Sequence, residues 1–188
     1  LIYKNLFDIP SWKIQIINFE EKKKELTKLL ESYPEEEKIL KGEGLGDQGG
    51  IQTFATNRQN DRSGLNEQFS SIMGEELSAF SKELQKDLVI HEIWSVSYDK
   101  GDYQSIHNHS STGLTGILYL DLPKHSPATV YVQPWNDIVT DTVQYTMIPI
   151  VEGDIVIVPS FVLHFSESNK SNSKKRIISW DMKILTRR

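Results

Sequence analysis

From His91 onward the chain shows no helical period, and that limits its fold more than any other feature. The stretches "HEIWSVSY", "TGILYLDL", "ATVYVQ", "VQYTMIPI", "DIVIVPS" and "RIISWDMKIL" alternate or run apolar, with Pro, Gly, Asn and Asp between them. Runs of that length and composition read as strands. Short strands with turn signals and no intervening helices hide their apolar faces by pairing antiparallel, in a sandwich or barrel. A jelly-roll-like unit is therefore expected over residues 91–188.

The first half reads differently. Leu26, Leu29, Leu30 and Tyr33 fall at helical spacing, which predicts a helix over 20–32 stopped by Pro34. Phe69, Ile72, Met73, Leu77, Phe80 and Leu84 predict a second helix over 66–88. Apolar stripes of this kind face a core. The expectation is one domain over 1–188, α+β and mainly β, with a helical part (1–90) packed on the jelly-roll core (91–188). Between the helices, Gly44, Gly46 and Gly49 make a G-x-G-x-x-G pattern. A charged segment precedes it and the extended-looking "IQTF" follows, so the strand and helix that a dinucleotide fingerprint needs are missing.

Composition removes several chemistries. The 188 residues include no cysteine, which excludes disulfides, thiol catalysis and iron–sulfur clusters. The net charge of −5 argues against broad nucleic-acid affinity. Lys170, Lys174, Lys175, Arg176, Arg187 and Arg188 do gather, and read as a solvated loop and tail. No run of about 18 apolar residues suggests a membrane helix. The start resembles no secretory signal and lacks an initiator Met, so a native N-terminus is expected to be missing and a cytoplasmic location is expected. The Asn-x-Ser triplets at Asn108 and Asn169 then carry no meaning.

The chemistry gathers at "YDKGDYQSIHNHS", which carries His107 and His109. In an extended segment residues two apart share a face, so two imidazoles can chelate one cation. His164 follows an apolar strand and a Pro-Ser turn, and is the candidate third ligand. His91 and His125 are not expected to ligate. Arg176 enters an apolar strand soon after His164. A guanidinium pairs a carboxylate bidentately, and burying it unpaired is costly, so an inward Arg176 would suit a carboxylate ligand.

Taken together these stretches resemble the iron(II)- and 2-oxoglutarate-dependent oxygenases, most closely a branch of uncharacterised, often phage-borne members with a helical N-terminal region. "DQGGIQT" is similar to that branch's Gly-Gly-aromatic-Gln signature, with Ile51 at the aromatic position. "WSVSYDKGDYQSIHNHS", "TGILYLDLP" and "EGDIVIVPSFVLHFSESNKSNSKKRIISWD" resemble, in order, its strand and H-x-H pair, its S-G-x-x-Y stretch, and its distal-His and Arg ending. The resemblance implies a double-stranded β-helix, a cupin-like barrel with iron at its mouth. His107 takes the first-His position and His164 the distal one. His109 stands where Asp or Glu is usual, so a three-histidine face would remove one negative charge from beside the iron. Arg176 would hold the far carboxylate of 2-oxoglutarate, with Ile178 in place of the Ser that often supports it. Tyr98, placed like a tyrosine of prolyl hydroxylases, would hydrogen-bond the same molecule, and Tyr119 is a second candidate. Trp180 shares the strand face of Arg176 and would help wall the site.

What the resemblance implies chemically is hydroxylation of a substrate C–H by Fe(II), 2-oxoglutarate and O2, with release of succinate and CO2. No catalytic residue beyond the metal ligands is implied. The prime substrate is a peptide or small molecule, a peptidyl residue such as proline being favoured, and a phage-encoded protein would act in the host cytoplasm. Two alternatives stay open: a three-histidine cupin dioxygenase that does not use 2-oxoglutarate, and a non-catalytic jelly-roll binding module.

Overall fold

The apolar runs of the second half pair into two antiparallel sheets in the computed structural model, which describes residues 8–32 and 62–185. The glycine pattern at Gly44, Gly46 and Gly49 and the Asp47–Thr53 stretch lie outside the described residues. In chain order the elements are β1 (Trp12–Gln15), α1 (Phe19–Glu31), α2 (Arg62–Ile72), α3 (Gly74–Leu84), β2 (Asp87–Tyr98), β3 (Gln104–His107), β4 (Leu114–Asp121), β5 (Thr129–Asp137), β6 (Thr142–Met147), β7 (Asp154–Pro159), β8 (His164–Ser166) and β9 (Lys175–Leu185). The larger sheet runs β1-β7-β4-β9-β2 and the smaller β3-β8-β5-β6.

Three elements differ from the sequence expectation. The helix expected over 66–88 is two helices, because the backbone leaves the helical region at Met73 (φ −97°, ψ 13°) and Gly74 follows. Glycine weakens a helix interior, so the chain breaks there rather than one turn away. The end of that stretch joins β2, which starts at Asp87 rather than His91 and carries a register shift between Ile90 and Glu92. The short strands β1, β3 and β8 were not expected, since four or fewer residues carry no readable period.

The larger sheet is buried on both faces, which explains why β4 and β7 run apolar instead of alternating. One face packs on the helices. Leu118, Ile155, Ile178, Trp180 and Met182 meet Leu26, Leu65, Phe69, Met73 and Phe80 there. Phe69 and Trp180 lie with ring centroids 5.1 Å apart, a contact worth about 1 kcal/mol beyond its buried area. Trp180 crosses β4 over Gly116, where any Cβ would overlap the indole. The other face looks between the sheets and carries Trp94, Val96, Tyr98, Ile117, Tyr119, Val156, Val158 and Ile177. Strand parity therefore sorts β9. Ile178, Trp180 and Met182 face the helices, while Lys175, Ile177, Ser179 and Asp181 face the barrel interior.

Candidate active site

His107 ends β3 and His164 begins β8, and the two are directly paired across the small sheet. His109 lies two residues past His107, and its loop is tied to the turn before β8. The His109 and Ser110 N–H groups both donate to the Ser160 carbonyl, at 3.0 and 3.3 Å. Ser160 N–H in turn donates to Gly113, which sits at φ +91° with no room for a Cβ beside Met182. This clamp carries His109 over to the other two rings. Ring centroids are 5.4 Å (His107–His109), 4.4 Å (His107–His164) and 5.1 Å (His109–His164) apart. One ring nitrogen from each lies within 4.8 Å of the others.

Partners fix which nitrogen faces inward. Each Nδ1 meets an oxygen that only accepts: the Ser105 carbonyl for His107 (2.8 Å), the Asp181 carboxylate for His109 (2.9 Å) and the Val162 carbonyl for His164 (2.9 Å). In the neutral form each ring would carry its proton on Nδ1 and turn its Nε2 lone pair inward. Burial, with His107 close by, holds His164 near pKa 3, so it stays neutral, as a metal ligand has to be. Trp94 stacks on His109 at 5.1 Å. Asp181 is itself anchored by Thr115 Oγ1 at 2.7 Å, and Thr115 meets Ser160 Oγ at 2.9 Å. A ring nitrogen backed by a fixed carboxylate is the arrangement that orients metal-bound histidines. Three convergent imidazoles suit non-haem iron, whose usual face is two histidines and one carboxylate. His91 and His125 are exposed and away from this cluster.

Arg176 does not enter the cavity. It lies on the helix-facing parity of β9, and its Nε donates to Asp121, which also pairs Lys23. Trp180 shares that parity and packs against Phe69, so it does not wall the site either. Both expectations fail for the same reason. The apolar face of β9 is the outer one, covered by helices. The interior cation is Lys175, which the sequence reading had assigned to a solvated cluster. It is 1% exposed. Its Nζ donates to the Pro127 carbonyl (2.8 Å) and Ser166 Oγ (3.0 Å) and sits 4.9 Å from the centre of the Tyr98 ring. No carboxylate pairs with it among the described residues. Burial alone pulls its pKa down to about 8.

Tyr98 and Ser166, the neighbours of Lys175, line one small cavity with His107, His109 and His164. The open space is about 10 Å³, room for one water. The Gln104 carboxamide spans it, accepting from Tyr98 Oη at 2.8 Å and reaching His107 Nε2 at 3.2 Å. Gln104 has to swing aside before anything larger enters. Burial raises the Tyr98 phenol well above its ordinary pKa, so it acts here as a neutral donor. Tyr119 is also buried, but its hydroxyl donates to Thr129 Oγ1 at 2.8 Å and it does not line the cavity. Sequence reasoning missed Lys175, Gln104 and Asp181. The parity of β9 separates Lys175 from Arg176, but only the helical cover decides which of them lies inside.

A family model described as "Putative 2OG-Fe(II) oxygenase" matches residues 92–181. No curated protein matches the sequence. Among solved structures, an oxidoreductase of the 2OG-Fe(II) oxygenase family from Burkholderia pseudomallei aligns with a TM-score of 0.69 at 10% identity, over 92% of this chain and 84% of that one. A prolyl-4-hydroxylase from Pseudomonas putida aligns with a TM-score of 0.55 at 11% identity, covering 93% and 94%. HygX from Streptomyces hygroscopicus, solved with nickel, 2-oxoglutarate and hygromycin B, aligns with a TM-score of 0.63 at 11% identity, covering 93% and 82%. These likenesses establish the fold as the double-stranded β-helix.

Proposed function

We propose, from the premise that the chain belongs to the iron(II)- and 2-oxoglutarate-dependent oxygenases, that it hydroxylates a C–H bond of a prime substrate. The observation that carries this reading is a buried ammonium, with no carboxylate partner among the described residues, in the same barrel as three inward Nε2 atoms. His107, His109 and His164 would hold the iron, their lone pairs already turned inward by their Nδ1 partners. Iron(II) with 2-oxoglutarate and O2 supplies oxidative decarboxylation of the keto acid to succinate and CO2, and insertion of one oxygen atom into the substrate.

The protein's part is binding and orientation. Lys175 would pair with the far carboxylate of 2-oxoglutarate, in place of Arg176. An ammonium out of water without a counter-ion is costly, and a dianionic ligand removes that cost. Tyr98, beside it, would donate to the same carboxylate once Gln104 moves off its hydroxyl. Trp94, Ile117 and Ile177 give the cavity an apolar side that lowers the local dielectric, which strengthens each of these contacts. A peptidyl substrate such as proline is supported by the likeness to the prolyl-4-hydroxylase and by the spacing of Tyr98 from His107.

The test supplies Fe(II), labelled 2-oxoglutarate and O2 and measures succinate. Wild-type protein should form succinate slowly without a prime substrate, and His164→Ala should abolish it. An unchanged rate in that variant removes the triad assignment. Oxygen uptake that ignores 2-oxoglutarate would favour a three-histidine dioxygenase of another kind, against which Lys175 speaks.

A further inference from the structure

A second, larger cavity of about 910 Å³ opens one strand away from the histidines. The small sheet carries a cross-strand row, His107 to His164 to Tyr131 to Thr146, by direct register. Neighbouring strands are about 4.8 Å apart, so the row leads from the three-histidine cluster straight into the cavity wall, which Tyr131 and Thr146 form. The Tyr131 ring is 6.0 Å from that of His164. Val162, whose carbonyl holds His164, lines the same cavity. Its volume falls in the range of small-molecule sites.

The chemistry of this wall is one-sided. Asp8, Asp137 and Asp141 line it, and among the described residues no Lys, Arg or His does. Asp137 is held ionised by N–H and O–H donors from Thr140 and the Val139 N–H. Apolar surface comes from Ile9, Ile148 and Val158. Trp135 contributes an indole that is 47% exposed, a face suited to a cation. The Tyr131 hydroxyl is buried next to Tyr119 and makes no hydrogen bond of ordinary geometry. The opposite sign of charge, Lys175, sits apart, against Tyr98 and Ser166 behind the small cavity. The barrel thus separates a slot for an anion from a mouth for a cation.

Resting on the oxygenase reading above, we propose that this cavity takes the prime substrate and selects one bearing an alkylammonium group on an apolar stem. A free amine and the lysyl side chain of a peptide both present that chemistry. The apolar wall would hold the stem near the three-histidine cluster, and the carboxylates at the rim would hold the charge.

The test uses two probes of equal bulk and opposite charge, dansylcadaverine and N-dansyl-6-aminohexanoate, with binding read by dansyl fluorescence. The ammonium probe should bind at least about tenfold more tightly. The double variant Asp8→Asn/Asp141→Asn should weaken it by about three- to thirtyfold, and added salt should do the same. Asn tolerates the left-handed backbone of Asp141 (φ +51°), and unchanged metal affinity in the variant certifies the fold. Equal affinity of the two probes, or an unaffected double variant, overturns the proposal. Succinate formation without any amine reports on the oxygenase reading alone. Where that turnover is present, spermidine or a lysyl peptide should raise it, and which of them does so tells the free amine from the peptide. Saturating both with no change in succinate overturns the substrate assignment while leaving the oxygenase reading intact.

Discussion

Replacing Asp181 by Asn should weaken metal binding by about ten- to hundredfold while leaving the fold alone. The carboxylate oxygen is 2.9 Å from His109 Nδ1 and also accepts from Thr115 Oγ1 at 2.7 Å. An Asn carbonyl in the same place can accept both of these bonds while the charge is lost. The ring and a metal–nitrogen bond add roughly 4 Å more, which puts that charge about 7 Å from the cation. Per positive charge at that distance, the attraction is about 2.4 kcal/mol at an effective dielectric near 20 and about 0.6 kcal/mol in bulk water. The side chain of Asp181 is 19% exposed, so the effect falls between these limits. The tenfold to hundredfold range corresponds to about 1.4–2.7 kcal/mol. Anaerobic calorimetric titration with Fe(II) measures it, with Tm of the metal-free protein as the control. Equal affinities at equal Tm would refute the reasoning, because the carboxylate would then be a tether and not a source of charge. The expected result also answers what a third histidine costs. The negative charge that an Asp or Glu ligand would bring is kept, one ring further out.

The other predictions concern Lys175 and its surroundings. Lys175→Met should raise the KM for 2-oxoglutarate by more than about a hundredfold, of the order expected for a buried charged contact, while Arg176→Ala changes it by less than about twofold; the reverse ranking in steady-state kinetics restores Arg176 to the site. In the free enzyme Lys175 titrates near 8, so kcat/KM for 2-oxoglutarate should fall as pH rises through about 8. The sign for stability is opposite. The folded pKa of about 8 lies below the ordinary 10.5, so the unfolded chain binds more protons between these values and stability rises with pH there. Below pH 8 the burial penalty, roughly 3 kcal/mol, is fully present, and denaturant melts of Lys175→Met should show its relief at pH 7. Gly116→Ala drives a methyl group into the Trp180 indole and should cost about 1–3 kcal/mol, seen as a Tm lower by about 2–10 °C.

The sequence disclosed what repeats or has a period. Alternation announced the long strands, helical spacing placed α1, and the His107–His109 spacing raised the expectation of a shared ligand face, although His109 lies in the loop past β3. It was silent where short pieces or distant partners decide. The strands β3 and β8, four and three residues long, have no period, yet they aim two of the three histidines. Asp181 meets His109 across 72 positions of sequence, and no local spacing foretells such a pair.

The exchange of Arg176 for Lys175 has a more instructive cause. Over residues 175–182 of β9, the even positions are Arg176, Ile178, Trp180 and Met182, and the odd ones Lys175, Ile177, Ser179 and Asp181. In a bare barrel the apolar set would point inward, and Arg176 with it. Here the helices cover the outer face of the larger sheet, so the apolar set faces them and the polar set is turned inside. Arg176, at the rim of the helical layer, meets Asp121 and half-reaches solvent. Lys175 has no such outlet. The ammonium's protein partners are neutral, the Pro127 carbonyl and the Ser166 hydroxyl, and neither balances its charge. Natural cores exclude unpaired cations because their burial is costly. A cation kept beside Tyr98 and Ser166, which line the cavity of the three imidazoles, with no carboxylate partner among the described residues, is explained when the ligand brings the counter-charge.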